Sequence, residues 1–261
     1  MKKLFSANIN LNIFFNEIYD LGKKLESYQI NKKYFKILNR TKFKTKVDLI
    51  MHVNLSKILK KFINCKIVSE ETSLPKSIPD KFWLIDPLDG TRSFVNGFDG
   101  YVIQGCYIKY KKPTLSFVFA PRKNLFWHAE FGKGAFLNGK LLKKNNNPKY
   151  ILVDNYPKPK GIAKTIFERL DMKKYIECGS IGLKCCLVAS NMANLFVKDI
   201  KFYDWDIMPA NLILKELNYF ISDLKGNIIK LSNDLKKNNG LIVTNDKKYL
   251  KNILQLNLYE K

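Results

Sequence analysis

The segment WLIDPLDGTRSF, Trp83 to Phe94, extends an apolar run into two aspartates set three residues apart around a proline. A run this apolar reads as a buried strand, ended by Pro87, so that Asp86 projects from a rigid element. The following turn carries Asp89 back toward the same point, with the Leu88 carbonyl between the two carboxylates. Three hard oxygen donors within four residues suit a divalent cation such as Mg²⁺. Gly90 and Thr91 come next, at the first turn of a helix whose unpaired N–H groups suit a phosphate. Asp-Pro and Asp-Gly are also ordinary turn dipeptides. The stretch alone therefore leaves two readings open, a polar turn and a cation site.

Acid collects at two further element ends. Glu70 and Glu71 follow the short strand at Cys65 to Val68, and Asp206 follows Trp205 at the start of a helix. Each has a plain explanation by itself, an acidic turn for the first and complementation of a helix dipole for the second. Together they favour a cation site, because the chain carries 46 Lys+Arg against 23 Asp+Glu and its acid is scarce.

The formal charge of +23 is spread from Lys2 to Lys261 among abundant Asn and Ile. A dedicated nucleic-acid protein gathers lysines on one phosphate path, so a basic nucleic-acid-binding protein is the weaker, non-enzymatic alternative. With 46% hydrophobic residues over 261 positions, the chain can bury a large core. No apolar run reaches the ~20 residues of a membrane span, and no membrane partner is expected. The amino-terminal stretch begins like the basic region of a signal peptide, but Asn8, Asn10, Asn12, Glu17 and Asp20 interrupt it; it reads instead as an amphipathic helix over 5–28. The five cysteines form no metal spacing and read as buried thiols in a reducing, cytoplasmic setting.

Periodicity gives a second helix over 46–62. Three antiparallel strands follow between Gly100 and Ala129, and GKGAFLNGK closes that meander. The low-complexity KKNNNPK divides the chain into two halves of one compact unit, 1–145 with most of the acid and 146–261 with Asp206. The second half reads as alternating strands and helices, including a helix at Ile207 to Leu217, strands near Tyr219 to Asp223 and Gly240 to Thr244, and a terminal helix. The fold class is α+β, with mixed and antiparallel sheets in layers. His52 and His128 lie outside every acidic motif and read as structural. The chain also lacks the G-x-x-x-x-G-K-[ST] loop of nucleotide triphosphate hydrolases.

WLIDPLDGTRSF resembles the W-x-I-D-P-[IL]-D-G-T-x-x-F signature of the inositol monophosphatase superfamily. YDWDIMPANLILKE is similar to its W-D-x-A-A-x-x-L-I-x-x-E segment, VSEET to its Glu-Glu element, and TKVD, Thr45 to Asp48, to its T-x-x-D. The likeness extends through the meander and covers nearly the whole chain. It implies an α-β-α-β-α sandwich and a Mg²⁺-dependent phosphomonoesterase, with Mn²⁺ as the alternative metal and two to three ions per site. Glu70, Asp86 and the Leu88 carbonyl would hold one ion, and Asp86, Asp89 and Asp206 a second. A weaker third would share Glu70. Asp48, acting through Thr91, would orient and deprotonate the attacking water, and Gly90 and Thr91 would hold the phosphoryl group. Homodimerisation is also implied.

For the substrate, a small-molecule phosphate ester, CGSIGLKCCLVASNMANLFV resembles the superfamily's substrate segment. Its G-S-x-G-L-K form is similar to that of 3'(2'),5'-bisphosphate nucleotidases, with Ser180 and Lys184 at the matching positions. Lys184 would meet a second phosphate, which puts adenosine 3',5'-bisphosphate first. Asp199, seven residues before Asp206, falls where inositol monophosphatases keep an acid for sugar hydroxyls. Inositol monophosphate is therefore the runner-up, ahead of fructose bisphosphate and histidinol phosphate. Met208, Pro209, Asn211 and the ELNY stretch, Glu216 to Tyr219, depart from the superfamily pattern and bear on local packing.

Overall fold

The computed structural model describes residues 10–31, 35, 37–39, 44–145, 149–256 and 258. Helix α1 spans Leu11–Ile30, with Asn10 as its cap: its side chain accepts from the backbone N–H groups of Asn12 and Ile13. The expected helix over 5–28 thus begins later and ends later among the described residues, and 5–9 lie outside them. A short pair, β1 (Ile37–Asn39) and β2 (Lys44–Thr45), leads into α2, Lys46–Phe62, with the bounds that periodicity predicts.

The main sheet has seven strands in simple order: β3 (Lys66–Ser69), β4 (Lys81–Asp89), β5 (Val102–Lys109), β6 (Lys112–Ala120), β7 (Leu125–Glu130), β8 (Gly134–Leu137) and β9 (Lys140–Leu141). Only β3 and β4 pair in parallel; the rest is an antiparallel meander. Strand β4 does not end at Pro87. Pairing with β5 jumps from Asp86 opposite Gln104 to Asp89 opposite Val102, so one extra residue is accommodated in a bulge. A bulge leaves a ladder position unpaired, which is where a residue without an N–H fits a strand.

After the short α3 (Thr91–Val95), the later part of the chain builds a mixed sheet from β10 (Ile151–Asp154), β11 (Lys174–Glu177), β12 (Leu195–Lys198), β14 (Phe220–Ser222) and β16 (Leu241–Thr244), in the order β11-β10-β12-β16-β14. Strands β13 (Phe202–Tyr203) and β15 (Lys236–Lys237) form a separate pair. The helices are α4 (Gly161–Arg169), α5 (Ile181–Ala189), α6 (Asp204–Glu216) and α7 (Lys247–Gln255). Helix α6 starts three residues earlier than periodicity suggests, because Asp206 at its third position reaches back to the Tyr203 N–H at 2.7 Å and closes a capping box.

Strand β4 is buried on both faces, and its alternate side chains enter different cores. Trp83 and Ile85 pack with Phe14 and Ile18 of α1 and Met51 and Leu55 of α2. Phe82 and Leu84 face the opposite way, into a core shared with α5, α6, Val153 and Phe196. A third core lies beyond the second sheet, where Leu152 and Ile242 meet Ile166 of α4 and Ile253 of α7. The layers run α-β-α-β-α, as the resemblance implies.

Phe14 is 2% exposed and meets Phe62 and Phe117 edge-on at 5.1 and 5.4 Å. Phe14→Ala should therefore lower unfolding free energy by about 3–4 kcal/mol in chemical denaturation. A loss below about 1 kcal/mol would mean that α1 is not docked as described.

Candidate active site

The bulge in β4 turns the chain so that Asp86 and Asp89 approach each other. Asp86 Oδ1 accepts the Leu88 N–H at 3.0 Å, which fixes the first carboxylate over the turn. Gly90 then takes φ 93°, and a Cβ there would lie 2.6 Å from the Gly100 carbonyl oxygen. Only glycine fits this step into α3.

Asp89 is held from across the molecule. Its Oδ2 accepts from Ser180 Oγ at 2.5 Å, from the Gly182 N–H at 2.9 Å and from Gln104 Nε2 at 3.3 Å. Ser180 also accepts the Leu183 N–H, so one hydroxyl caps α5 and grips the carboxylate. Asp206 arrives on the first turn of α6. One ligand oxygen from each of Asp86, Asp89 and Asp206 lies within 4.8 Å of the others, Asp86 and Asp89 buried and Asp206 partly so. The structure thus brings together residues more than a hundred positions apart.

Glu70 stands beside this trio and outside the 4.8 Å set. Its backbone carbonyl accepts from Lys44 Nζ at 2.8 Å, and the same ammonium pairs with Glu71 at 3.2 Å. Burial, with Glu71 and the nearby Asp89 and Asp48, raises the Glu70 carboxyl to about 7. Burial also raises Asp86, Asp89 and Asp206, and neighbouring acid adds to the rise in Asp86 and Asp206. Carboxylates crowded this way need positive charge among them, and the all-oxygen donor set suits a hard divalent cation.

Asp48 and Thr91 meet as the sequence reading requires. Asp48 Oδ2 takes the Thr45 N–H at 2.7 Å and the Thr45 hydroxyl at 2.6 Å, and its Oδ1 lies 2.8 Å from the Thr91 hydroxyl. Thr91 Oγ1 is also 3.0 Å from the Leu88 carbonyl oxygen. The same side chain therefore touches an expected cation ligand and an expected proton acceptor.

The two remaining substrate candidates are placed differently. Lys184 is 1% exposed: its ammonium donates to Asn155 Oδ1 and, at 3.3 Å, to the Gly179 carbonyl, and it lies 4.7 Å from the centre of the Phe196 ring. Asp199 is exposed at the end of β12. Sequence reasoning passed over Gln104 and Lys44. Gln104 carried a signal, a lone amide inside the apolar run YVIQGCYI, whereas Lys44 carried none in so basic a chain. Burial lowers His128 to about 4 while it stacks on Phe136, and His52 Nδ1 lies 3.0 Å from Ser69 Oγ. The five cysteines are free thiols, four of them buried.

A profile of the inositol monophosphatase family matches residues 21–257, and the chain belongs to that family. It is 31% identical over 198 residues to a fructose-1,6-bisphosphatase/inositol-1-monophosphatase of Methanocaldococcus jannaschii, covering 75% of this chain and 78% of the relative. It is 29% identical over 169 residues to a 3'(2'),5'-bisphosphate nucleotidase of Aggregatibacter actinomycetemcomitans, covering 62% of this chain and 61% of that one. The fold matches inositol monophosphatase II of Staphylococcus aureus with TM-score 0.75 at 23% identity, over 96% of this chain and 95% of that one. The protein is accordingly a phosphatase, a phosphoric monoester hydrolase. Among the described residues no helix is long and apolar enough to cross a membrane.

The folded site keeps protons that the unfolded chain has released, so its contribution to metal-free stability falls as pH rises from about 4.5 toward about 7. Melting of chelator-treated protein should show Mg²⁺ raising the transition temperature more at about pH 8 than at about pH 5, since protons compete for the same oxygens. Equal protection at both values would separate the metal from these acids.

Proposed function

We propose that the protein is a Mg²⁺-dependent phosphomonoesterase acting on small polyol and sugar phosphates, such as inositol 1-phosphate or fructose 1,6-bisphosphate. The observation that carries the reading is the convergence of the Asp86, Asp89 and Asp206 oxygens within 4.8 Å, beside the paired Asp48 and Thr91. Mg²⁺ held by Glu70, Asp86, Asp89, Asp206 and the Leu88 carbonyl would supply Lewis-acid chemistry, and Mn²⁺ fits the same oxygens. Thr91 Oγ1 accepts a hydrogen bond from the attacking water while its own hydroxyl donates to Asp48 Oδ1, so the water's proton has a path to a carboxylate held still by Thr45. The Gly90 and Thr91 backbone holds the phosphoryl oxygens as charge shifts toward the leaving group. All of this proceeds by direct attack of water, with no covalent phosphoenzyme.

Polyol esters stand ahead of nucleotides because Lys184 is enclosed. Its ammonium would have to leave Asn155, Gly179 and the Phe196 ring before it could meet a second phosphate. Asp199 is exposed, and an open carboxylate is suited to accept from substrate hydroxyls. Adenosine 3',5'-bisphosphate is the second reading, supported by the Ser180 to Lys184 segment and by the likeness to a bisphosphate nucleotidase.

Phosphate release from inositol 1-phosphate, fructose 1,6-bisphosphate, histidinol phosphate and adenosine 3',5'-bisphosphate, with and without Mg²⁺, tests the assignment. Asp89→Asn should lower kcat by about two orders of magnitude or more while leaving the circular dichroism spectrum unchanged. An unaltered kcat would remove Asp89 from the site. Lys184→Met should lower the melting temperature and leave the ratio of KM values for the nucleotide and the inositol ester within about twofold. A selective rise of about tenfold or more for the nucleotide would put that substrate first.

A further inference from the structure

Gln104 lies on the interior strand β5, opposite Asp86, in the row of side chains that includes Val102 and Cys106 and faces the shared core. It is fully buried, and a buried amide among apolar neighbours destabilises the fold unless its hydrogen bonds are made. Its Nε2 has three acceptors in reach: the Trp205 carbonyl at 3.1 Å, Asp89 Oδ2 at 3.3 Å and the Asp206 carbonyl at 3.3 Å. Two of them are backbone carbonyls, which can only accept, so the amide presents its nitrogen to this side. Its Oε1 points the other way and has no hydrogen-bond partner among the described residues.

The shortest of these contacts has a cause in the sequence. In a helix the Trp205 carbonyl would accept the N–H of residue 209, four positions on. Residue 209 is proline, inside α6, and has no N–H. The carbonyl lacks that donor, and Gln104 Nε2 donates to it instead. Room for the amide comes from a third position: a Cβ on Gly182 would lie 2.0 Å from Gln104 Oε1. Gln104, Gly182 and Pro209 thus fit one another, although they lie on β5, α5 and α6.

We infer that Gln104 is a positioning residue for the metal ligands, tying the Asp89 carboxylate to the first turn of the helix that carries Asp206. With Ser180 and the Gly182 N–H it completes a set of three donors on Asp89 Oδ2, and none of these three bonds is made to Oδ1. The separation between Asp89 and Asp206, which come from distant segments, is then set by one side chain bonded to both elements. Pro209, which would ordinarily disturb a helix, is what frees the carbonyl used for this tie. The inference rests on the reading of Asp89 and Asp206 as metal ligands.

The test uses the full chain as Gln104→Leu, Pro209→Ala and the double variant, with Mg²⁺ binding to chelator-treated protein followed by titration calorimetry and melting temperature measured in parallel. Gln104→Leu should weaken Mg²⁺ binding about tenfold and lower the metal-free melting temperature, since the Trp205 carbonyl loses its partner. Adding Pro209→Ala restores an N–H to that carbonyl. The gain in melting temperature on Pro209→Ala should be larger in the Gln104→Leu background than in the wild type, while Mg²⁺ affinity stays weak because Asp89 is still untied. If Pro209→Ala recovers affinity together with stability, or if Gln104→Leu binds Mg²⁺ as wild type does, the positioning role is overturned. Gln104→Met, of similar length and without a donor, serves in the same way should the leucine variant fail to fold. Wild-type protein that binds no Mg²⁺, or whose binding is unaltered by Asp89→Asn, would remove the metal reading and this inference with it.

Discussion

Carboxylates gathered in one pocket repel each other, and burial deepens the penalty; the site exists because the surrounding fold holds them there. The direction of every shift agrees: Glu70, Asp86, Asp89 and Asp206 are all pushed up, burial being the largest cause in each case. Backbone donors oppose that push at fixed points. Leu88 serves Asp86, Gly182 serves Asp89 and Tyr203 serves Asp206. Each donor lies at a bulge or a helix start, where the regular ladder leaves an N–H free. The irregular ends of the elements are therefore what makes the acid tolerable, and the regular parts serve to bring those ends together.

The layering follows from the same demand. Asp86 and Asp89 belong to a strand covered on both faces, so the cluster cannot relax by sliding that strand. Helix α6, inserted between the two sheets, brings Asp206 against it from the far side, and α5 brings Ser180 and Gly182 to the same carboxylate. A displacement of either helix would be felt at the acids before it was felt in the cores, because a hydrogen bond weakens over a few tenths of an ångström and apolar packing is less directional.

What could be read from the residues alone divides along physical lines. Helix α2 was legible to the residue, since its apolar stripe lies within seventeen consecutive positions. The three aspartates were legible as a cluster because turn chemistry and their scarcity in a basic chain mark them. Pro87 misled, because an absent N–H ends a regular ladder but is absorbed by a bulge, and the bulge depends on β5. The start of α6 was placed late for a related reason: Asp206 looked like a residue ahead of a helix, whereas its carboxylate caps the turn that contains it. Lys184 reads from its segment as a ligand for a second phosphate, and the segment gives no sign that the ammonium is buried. Enclosure by Asn155, Gly179 and Phe196 is a property of β10, α5 and β12 packed together, invisible in G-S-x-G-L-K. Gln104 is the sharpest instance, since its acceptors lie fifteen positions away and just over a hundred positions away.

The charge of the chain bears on how such a site is reached. Lysine is distributed over the whole sequence at a net formal charge of +23, while Glu70, Asp86, Asp89 and Asp206 gather at one point of the fold. A phosphate ester approaching from solution meets a positive field at long range, and only at the bottom of the site does it meet carboxylates. Without ions that last step is repulsive, and with them it becomes attractive, so the long-range field and the local site act in the same direction only when metal is bound. The first depends on ionic strength over a Debye length of about 8 Å near physiological salt, whereas the second is shielded by burial. Salt therefore acts chiefly on the rate of encounter, and metal on whether the encounter is productive.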